Sequence, residues 1–320
     1  MKTWQRIKKD PILLKTYFVR ERVTQTIREY FKDQGFHEVF TPIMVPVPSI
    51  EPNLEVFETQ LRTSAGKKKR AFLINSPEYA HKKLLAAGVG NLFEITRAFR
   101  NEEEVSRLHS PEFTILEWYR VNADYFDIMN YFENLFLKII GKNKLNYQGK
   151  VYDLKQPWPR ISFEEAFKNY AGRDLEDVKD EDFYKTFFNE VEPKILKTKK
   201  PIFLYDYPIS QASLSRPKKD DPRFAERFEV FIAGVELGNC FSELTDWKAQ
   251  RARFVKDRAM RQARGKTDFP IDEDFIDALK GGMPESSGIA VGVDRLVMLA
   301  ADVPAVSDTI FFPDSELFDL

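Results

Sequence analysis

The sequence predicts an α+β fold whose sheet is mainly antiparallel and is flanked by helices. Strand-forming segments follow one another closely, which favours pairing between neighbours over helical crossovers. Amphipathic segments with helical periodicity lie before, between and after them. With 320 residues, of which 43% are hydrophobic, the chain can bury a large core. Disorder and fibrous repeats are therefore excluded.

In the first half of the chain, apolar side chains at helical spacing predict the first helix, and Gly35 ends it. Prolines break the extended segment that follows. Pro77 favours the first turn of a second helix, where a missing N–H costs nothing. The predicted segments are a helix at 15–33, an extended segment at 36–47, a helix at 76–88, strands at 91–99 and 112–119, and a helix at 123–140.

In the second half, mixed charges and apolar periodicity predict a helical insertion at roughly 157–200 within one domain that spans residues 1–320. The basic residues of the charged helix predicted at 245–264 are interpreted as a solvated face, or alternatively as a contact for an acidic partner. The predicted segments are helical structure at 161–200, strands at 202–207 and 227–237, a charged helix at 245–264, a strand or turn at 288–293, and a helix at 294–301.

Composition excludes several classes of protein. The formal net charge of −1 gives no global positive field for nonspecific nucleic-acid binding. Cys240, the one cysteine, excludes a disulfide framework and a cysteine-rich zinc site. No apolar run approaches the roughly 18 residues of a membrane span, and the first residues lack the apolar core of a signal peptide. We therefore expect a soluble, cytoplasmic protein with no membrane partner.

A first candidate site lies in the loop between two predicted strands. Arg100 ends one strand, where a guanidinium can bind a phosphate or a carboxylate through two parallel hydrogen bonds. Glu102 follows on the same face and can orient that arginine or bind an amine. Phe113, on the return strand, offers a ring on which a flat base can stack. Other polar residues are interpreted as surface positions: His37, His81, Glu103 and Glu104.

Two further segments carry candidate chemistry. Glu236 and Glu243 flank a strand end and suit either a magnesium-phosphate site or an ammonium ligand. In the other segment, small residues that let a ligand approach the backbone lead into a helix that Asp294 is expected to cap. Arg295 lies in the first turn, where the helix dipole disfavours a cation, so a bound anion explains it better.

These segments, in this order, resemble the signature motifs of class II aminoacyl-tRNA synthetases, and residues 35–42 resemble the motif that forms the dimer interface in that family. The resemblance covers nearly the whole chain and implies the family's catalytic fold and a homodimer. It is closest to the lysyl subclass, through Arg100-Asn101-Glu102, Pro111-Glu112-Phe113, Glu236-Leu237-Gly238-Asn239 and Phe241-Ser242-Glu243-Leu244.

The resemblance implies that the protein binds ATP and Mg²⁺. Arg100 and Arg295 would be catalytic, the first on the α-phosphate and the substrate carboxylate, the second on the γ-phosphate. Phe113 would stack on adenine, and the metal ligands would be Glu236 and Glu243. The implied ATP-binding set is Arg100, Asn101, Glu102, His109, Ser110, Phe113, Glu236, Leu237, Gly292 and Arg295.

The implied amino-acid pocket is rich in carboxylates, which suits a substrate with two ammonium groups such as lysine or β-lysine. Ala290 stands where lysyl enzymes usually have glycine, and one added methyl group reshapes a tight pocket. The implied set is Ser76, Pro77, Glu78, Glu117, Tyr119, Asn239, Phe241, Glu243 and Ala290.

The first motif begins at Gly35, so we expect no dedicated tRNA-binding domain. This arrangement resembles the truncated paralog of the lysyl enzymes that activates (R)-β-lysine as an adenylate and transfers it to a lysine of translation elongation factor P. Two alternatives stay open: a stand-alone lysyl transferase that charges tRNA or another acceptor, and a regulatory paralog without chemistry. The motifs that carry the resemblance do not include the segment 311–320.

Overall fold

The computed structural model describes residues 2–11, 13–178 and 180–318. Met1, Ile12, Lys179 within the predicted helical region, and residues 319–320 of the C-terminal segment lie outside the described residues. The α-helices are α1 (Thr3–Lys9), α2 (Leu13–Asp33), α3 (Glu78–Ala86), α4 (Tyr125–Ile140), α5 (Phe163–Ala166), α6 (Asp180–Thr186), α7 (Glu192–Ile195), α8 (Trp247–Ala263), α9 (Glu273–Gly282), α10 (Val293–Ala301) and α11 (Asp314–Leu317).

The strands, in chain order, are β1 (His37–Glu38), β2 (Met44–Val45), β3 (Glu58–Arg62), β4 (Lys68–Leu73), β5 (Leu92–Phe99), β6 (Glu112–Val121), β7 (Lys144–Tyr147), β8 (Lys150–Asp153), β9 (Arg160–Ser162), β10 (Ile202–Pro208), β11 (Phe224–Ile232), β12 (Val235–Ser242) and β13 (Ser286–Gly292). Most of the strand pairs are antiparallel, the exceptions being β1 with β5 and β9 with β10. The predicted α+β class is confirmed.

Two predicted segments differ from the structure. The strand expected at 227–237 is instead the hairpin of β11 and β12, whose two-residue turn is Ala233-Gly234. Both turn residues have positive φ (55° and 76°), as the tight hairpin turns require. The region 161–200 is helical but broken, because α5 and α6 each run into a π-helical turn, at Phe167–Ala171 and Phe187–Val191.

The described contacts divide the chain into two compact units, each made of separate stretches of sequence. The first comprises residues 1–121, 244–285 and 292–320 and contains the strand order β1-β5-β6 and the small sheet β2-β4-β3. Its core forms where one face of α2 packs on the sheet: the Phe31 ring lies 5.0 Å from Phe93 and 4.9 Å from Trp118. Val23 and Ile27 extend this buried face at helical spacing.

The second unit comprises residues 122–243 and 286–291 and contains the strand order β13-β12-β11-β10-β9. Its core includes an aromatic cluster of the helical region, formed by Phe163, Phe167, Phe183 and Phe187. No helix of the described residues is both long and apolar enough to cross a bilayer. The single domain over 1–320, with its helical insertion, stays a prediction.

Candidate active site

Arg100 and Phe113 meet in the first unit, as predicted, because β5 and β6 pair as a hairpin. The guanidinium carbon of Arg100 lies 5.0 Å from the ring centre of Phe113, and the backbone N–H of Arg100 donates to the carbonyl of Pro111 at 2.9 Å. Glu103 is not simply solvated, since its carboxylate lies 4.0 Å from Arg100 and 3.8 Å from His109. Among the described residues, the buried Nε of Arg100 has no hydrogen-bond partner. This donor is available to an anionic ligand.

Arg295 and His109 are also brought together. One Nη of Arg295 lies 2.9 Å from Nε2 of His109, and its Nε donates to the carbonyl of Leu108 at 3.3 Å. Because a guanidinium only donates, His109 accepts at Nε2 and holds its proton at Nδ1, 3.0 Å from Ser106 Oγ. The guanidinium of Arg295 is therefore oriented by this loop before any ligand binds.

The other predicted ATP-binding residues of the first unit lie around this loop. Ser110 Oγ donates to the carboxylate of Asp314, so the C-terminal segment contacts the loop. Asn101 and Glu102 lie at the surface, with the N–H of Asn101 donating to the carbonyl of Glu55 at 2.9 Å. The carboxylate of Glu102 pairs with the ammonium of Lys266 at 2.9 Å.

Asp294 does not cap its helix, contrary to expectation. Gly292 occupies the capping position without a side-chain bond, and Asp294 is 4% exposed. Its carboxylate instead accepts hydrogen bonds from Arg20 at 2.5 Å and from the N–H of Thr114 at 2.8 Å. These bonds fasten α10, which carries Arg295, to the strand that carries Phe113.

The predicted amino-acid-binding carboxylates of the first unit are deeply buried. Glu117 accepts hydrogen bonds from Ser76 Oγ at 2.5 Å and from the hydroxyl of Tyr119 at 3.2 Å. Ser76 also accepts the N–H of Glu78, and Pro77 stands at the capping position of α3. Burial raises the pKa of Glu78, although the nearby ammonium of Lys82, at 2.7 Å, opposes that shift.

His81 is not a surface residue, contrary to expectation, because it lies beneath these carboxylates with 0% exposure. Its Nε2 lies 2.8 Å from Glu94 and its Nδ1 3.7 Å from Glu117. The burial of His81, Lys82 and Glu94 in one cluster was not predicted from the sequence. The available signal was an acid in the apolar run Leu92–Ile95, since an acid in a buried strand needs a partner.

In the second unit, a β-bulge in β12 decides which side chains share a face. Glu236 pairs with Phe231 and Gly238 with Val230, so Leu237 is the extra residue. A bulge shifts by one residue the alternation of side chains between the two faces of the strand. The consecutive burial of Leu237 and Gly238 agrees with this shift. Glu236 therefore comes into phase with Asn239, Phe241 and Glu243. Leu237, 1% exposed, could meet a nucleotide only through its backbone.

Residues on the neighbouring strands complete this face. Asn239 is directly opposite Glu229 and Ala290, and Phe241 is opposite Arg227. Arg227, which the sequence analysis missed, donates to Asn239 at 3.1 Å and to Glu229 at 2.7 Å. Burial, together with the charge of Glu236, raises the pKa of Glu229 to about 7. The face is thus strongly acidic, as a site for cations requires.

The two predicted metal ligands fit magnesium by their chemistry. Glu236 and Glu243 share a face of β12 and offer only oxygen donors. No group of three or more metal-ligating side chains exists among the described residues. Mg²⁺ commonly uses one or two carboxylates together with water and substrate phosphates, so a two-carboxylate site suits an ion that arrives with a nucleotide.

Gly238 is expected to tolerate no side chain. A Cβ there would lie 2.9 Å from Ile289 Cδ1 and 3.2 Å from the carbonyl oxygen of Ala290. We expect Gly238→Ala to lower the free energy of unfolding by about 1–3 kcal/mol through overpacking, measured by thermal unfolding. Gly281→Ala is the matched control, because nothing lies within 4 Å of its Cβ position. Equal melting temperatures of the two variants would contradict the packing argument.

This combination of a guanidinium-ring pair, an oriented second arginine and buried acids is that of an enzyme that activates amino acids. The family of tRNA synthetases class II (D, K and N) matches residues 5–316, and the chain belongs to this family. The family predicted from the motifs is thereby confirmed.

Relatives similar to the chain along nearly its whole length carry one name. A protein named elongation factor P–(R)-β-lysine ligase, from Proteus mirabilis, is 41% identical over 92% of this chain and 93% of its own length. A protein of the same name from Salmonella arizonae is 40% identical over 97% of each chain.

Proposed function

We propose that this protein activates (R)-β-lysine, or lysine, with ATP and transfers it to a lysine side chain of translation elongation factor P. The observation that carries this proposal is the 40–41% identity to ligases of that name over 92–97% of the chain. The buried carboxylates around Glu117 support it, because a substrate with two ammonium groups needs several anions. The class II frame supports an AMP-forming ligase.

The first step joins the substrate carboxylate to the α-phosphorus of ATP. Arg100 would bind both groups, and its unused Nε–H is available to the charge that develops on the phosphoryl oxygens. As the new oxygen–phosphorus bond forms, the bond to the β-phosphate breaks and pyrophosphate leaves. No side chain is a nucleophile, so catalysis consists of positioning and charge stabilisation.

The second step forms an amide. The neutral ε-amine of the acceptor lysine attacks the acyl carbon of the adenylate, AMP leaves with the bonding electrons, and the amine loses a proton to solvent. Glu236 and Glu243 would hold Mg²⁺, which neutralises phosphate charge when bound. Arg295, oriented by His109, would bind the γ-phosphate during the first step.

The homodimer and the cytoplasmic location stay predictions. In the motif expected at the dimer interface, residues 35–42, Phe40 is 79% exposed, and the residues that follow it, Ile43 and Met44, are 40% and 42% exposed. Such side chains suit a surface that another subunit covers.

Intact-mass spectrometry tests the proposed function. Purified elongation factor P, incubated with this protein, ATP and (R)-β-lysine, is expected to gain the mass of one lysyl residue. Omission of ATP, and replacement of the acceptor lysine, should each abolish the gain. No gain with either lysine isomer would contradict the proposal, and charging of total tRNA with radiolabelled lysine would instead support the stand-alone transferase.

A further inference from the structure

A cluster of five buried charged residues lies under Ser76 and Tyr119 in the first unit. Three are carboxylates, and each is less than a tenth exposed: Glu78 at 7%, Glu94 at 2% and Glu117 at 1%. The other two, His81 and Lys82, lie at 0% and 1%. Burial of an unpaired charge lowers the stability of the fold by several kcal/mol, so these charges must be paired with one another or serve a function.

Most of the cluster is anchored by protein groups. Glu94 accepts both the N–H and the hydroxyl of Thr41, each at 2.8 Å. Glu117 accepts Ser76 and Tyr119, and Lys82 lies against Glu78. The two ring nitrogens of His81 point to two of the carboxylates, Nε2 to Glu94 at 2.8 Å and Nδ1 to Glu117 at 3.7 Å.

The ring of His81 is suited to the charged form. Burial alone would lower its pKa, but hydrogen bonds and charge attraction to Glu117 and Glu94 outweigh burial and raise it. Among the residues that the structure describes, the ring of His81 lies against Glu94 from β5 and against Glu117 and Tyr119 from β6. It also interacts with the charge of Glu78 from α3 itself, which is paired with Lys82.

The net charge of the cluster then has a simple consequence. With three carboxylates and two cations all charged, the cluster carries one uncompensated negative charge, which one ammonium group neutralises. A neutral residue in place of His81 would remove the cation that lies between Glu94 and Glu117. The carboxylate of Glu117 would then lose the charge that orients it.

We propose that His81 is a positioning residue, which as an imidazolium between Glu94 and Glu117 holds the Glu117 carboxylate in place so that the pocket accepts one ammonium group of the substrate. His81 does not touch the substrate in this arrangement; it acts through Glu117. The inference rests on the proposed function, since it assumes that a lysine isomer is bound beside Glu117.

A charge-balanced pair of substitutions tests this role. ATP–pyrophosphate exchange is measured with (R)-β-lysine and with lysine for His81→Gln, Glu94→Gln and the double variant. Each single change upsets the charge balance, so we expect the KM for the amino acid to rise about 10- to 100-fold, the effect of one charge-assisted hydrogen bond. The KM for ATP should stay unchanged. The double variant removes one cation and its carboxylate together and is expected to restore most of the affinity.

A variant of the adjacent lysine is the matched control. Lys83→Gln removes a cation of the same helix whose partners are Asp272 at 2.8 Å and Asp274 at 2.7 Å, outside the cluster. Its KM for the amino acid should equal the wild-type value. An exchange-active wild type whose KM does not move in either single variant, or a double variant worse than both, overturns the inference alone. A wild type without exchange for either lysine isomer contradicts the proposed function and the inference with it.

Discussion

Replacing Arg100 by alanine is expected to lower the rate of ATP–pyrophosphate exchange about 10²–10³-fold, the usual cost of one donor that stabilises transition-state charge. The guanidinium packs against Phe113 and keeps its buried Nε without a protein partner among the described residues. That donor is therefore available to a ligand. Exchange assayed at saturating ATP and amino acid separates this effect from weaker binding.

Arg97 provides the matched control for this experiment. It lies on β5, the strand that ends just before Arg100, is 46% exposed and faces Glu112 at 3.5 Å. We therefore expect Arg97→Ala to leave exchange close to the wild-type rate. Arg100→Lys should recover only part of the loss, because an ammonium cannot bind two oxygens through a planar fork. An Arg100→Ala variant as active as Arg97→Ala would remove Arg100 from the proposed mechanism.

Replacing Arg261 by methionine is expected to lower the free energy of unfolding by about 3–5 kcal/mol, as when one partner of a buried ion pair is lost. Arg261 lies on α8, in the face that the sequence predicted to be solvated, yet it is 1% exposed. It donates to the carbonyls of Glu51 at 2.6 Å and Thr267 at 3.0 Å, and it pairs with Glu55 at 3.3 Å.

Urea unfolding of two variants from the same helix measures this effect. Arg251→Ala removes an arginine whose partner Glu273 is itself exposed, at 56%, so we expect a change below about 1 kcal/mol. A midpoint shift confined to Arg261→Met would show that one buried guanidinium holds the end of α8 to residues 51–55. Similar midpoints for both variants would mean that the fold does not depend on the charge of Arg261 for its stability.

Features that depend on short stretches of chain were predictable from the sequence. Periodicity located α2, α4 and the β5–β6 hairpin, and the hairpin alone is enough to bring Arg100 to Phe113. The spacing of small residues before α10 likewise located Arg295 at the start of a helix.

Features that depend on distant partners were not predictable. In the sequence, nothing near His81 indicates burial, because its two acidic partners come from β5 and β6. Arg261 likewise cannot be told from its solvated neighbours, because residues 51–55, which pack on it, are distant in the sequence. Aspartate at the start of a helix is typical of a cap, but the carboxylate of Asp294 accepts hydrogen bonds from Arg20 and Thr114 instead. In each case burial is decided by contacts across long sequence separations, which local propensity does not contain.

The bulge at Leu237 divides β12 into two parts that respond differently to engineering. Substitutions at Asn239 or Phe241 alter a side chain on the acidic face and leave the strand's register intact. Loss of the bulge, with Leu237 paired as in a regular strand, would instead move Glu236 to the opposite face, because pleat alternation has a period of two residues. Libraries aimed at new amino-acid substrates should therefore keep the residues of the bulge fixed and vary positions such as Asn239 and Phe241.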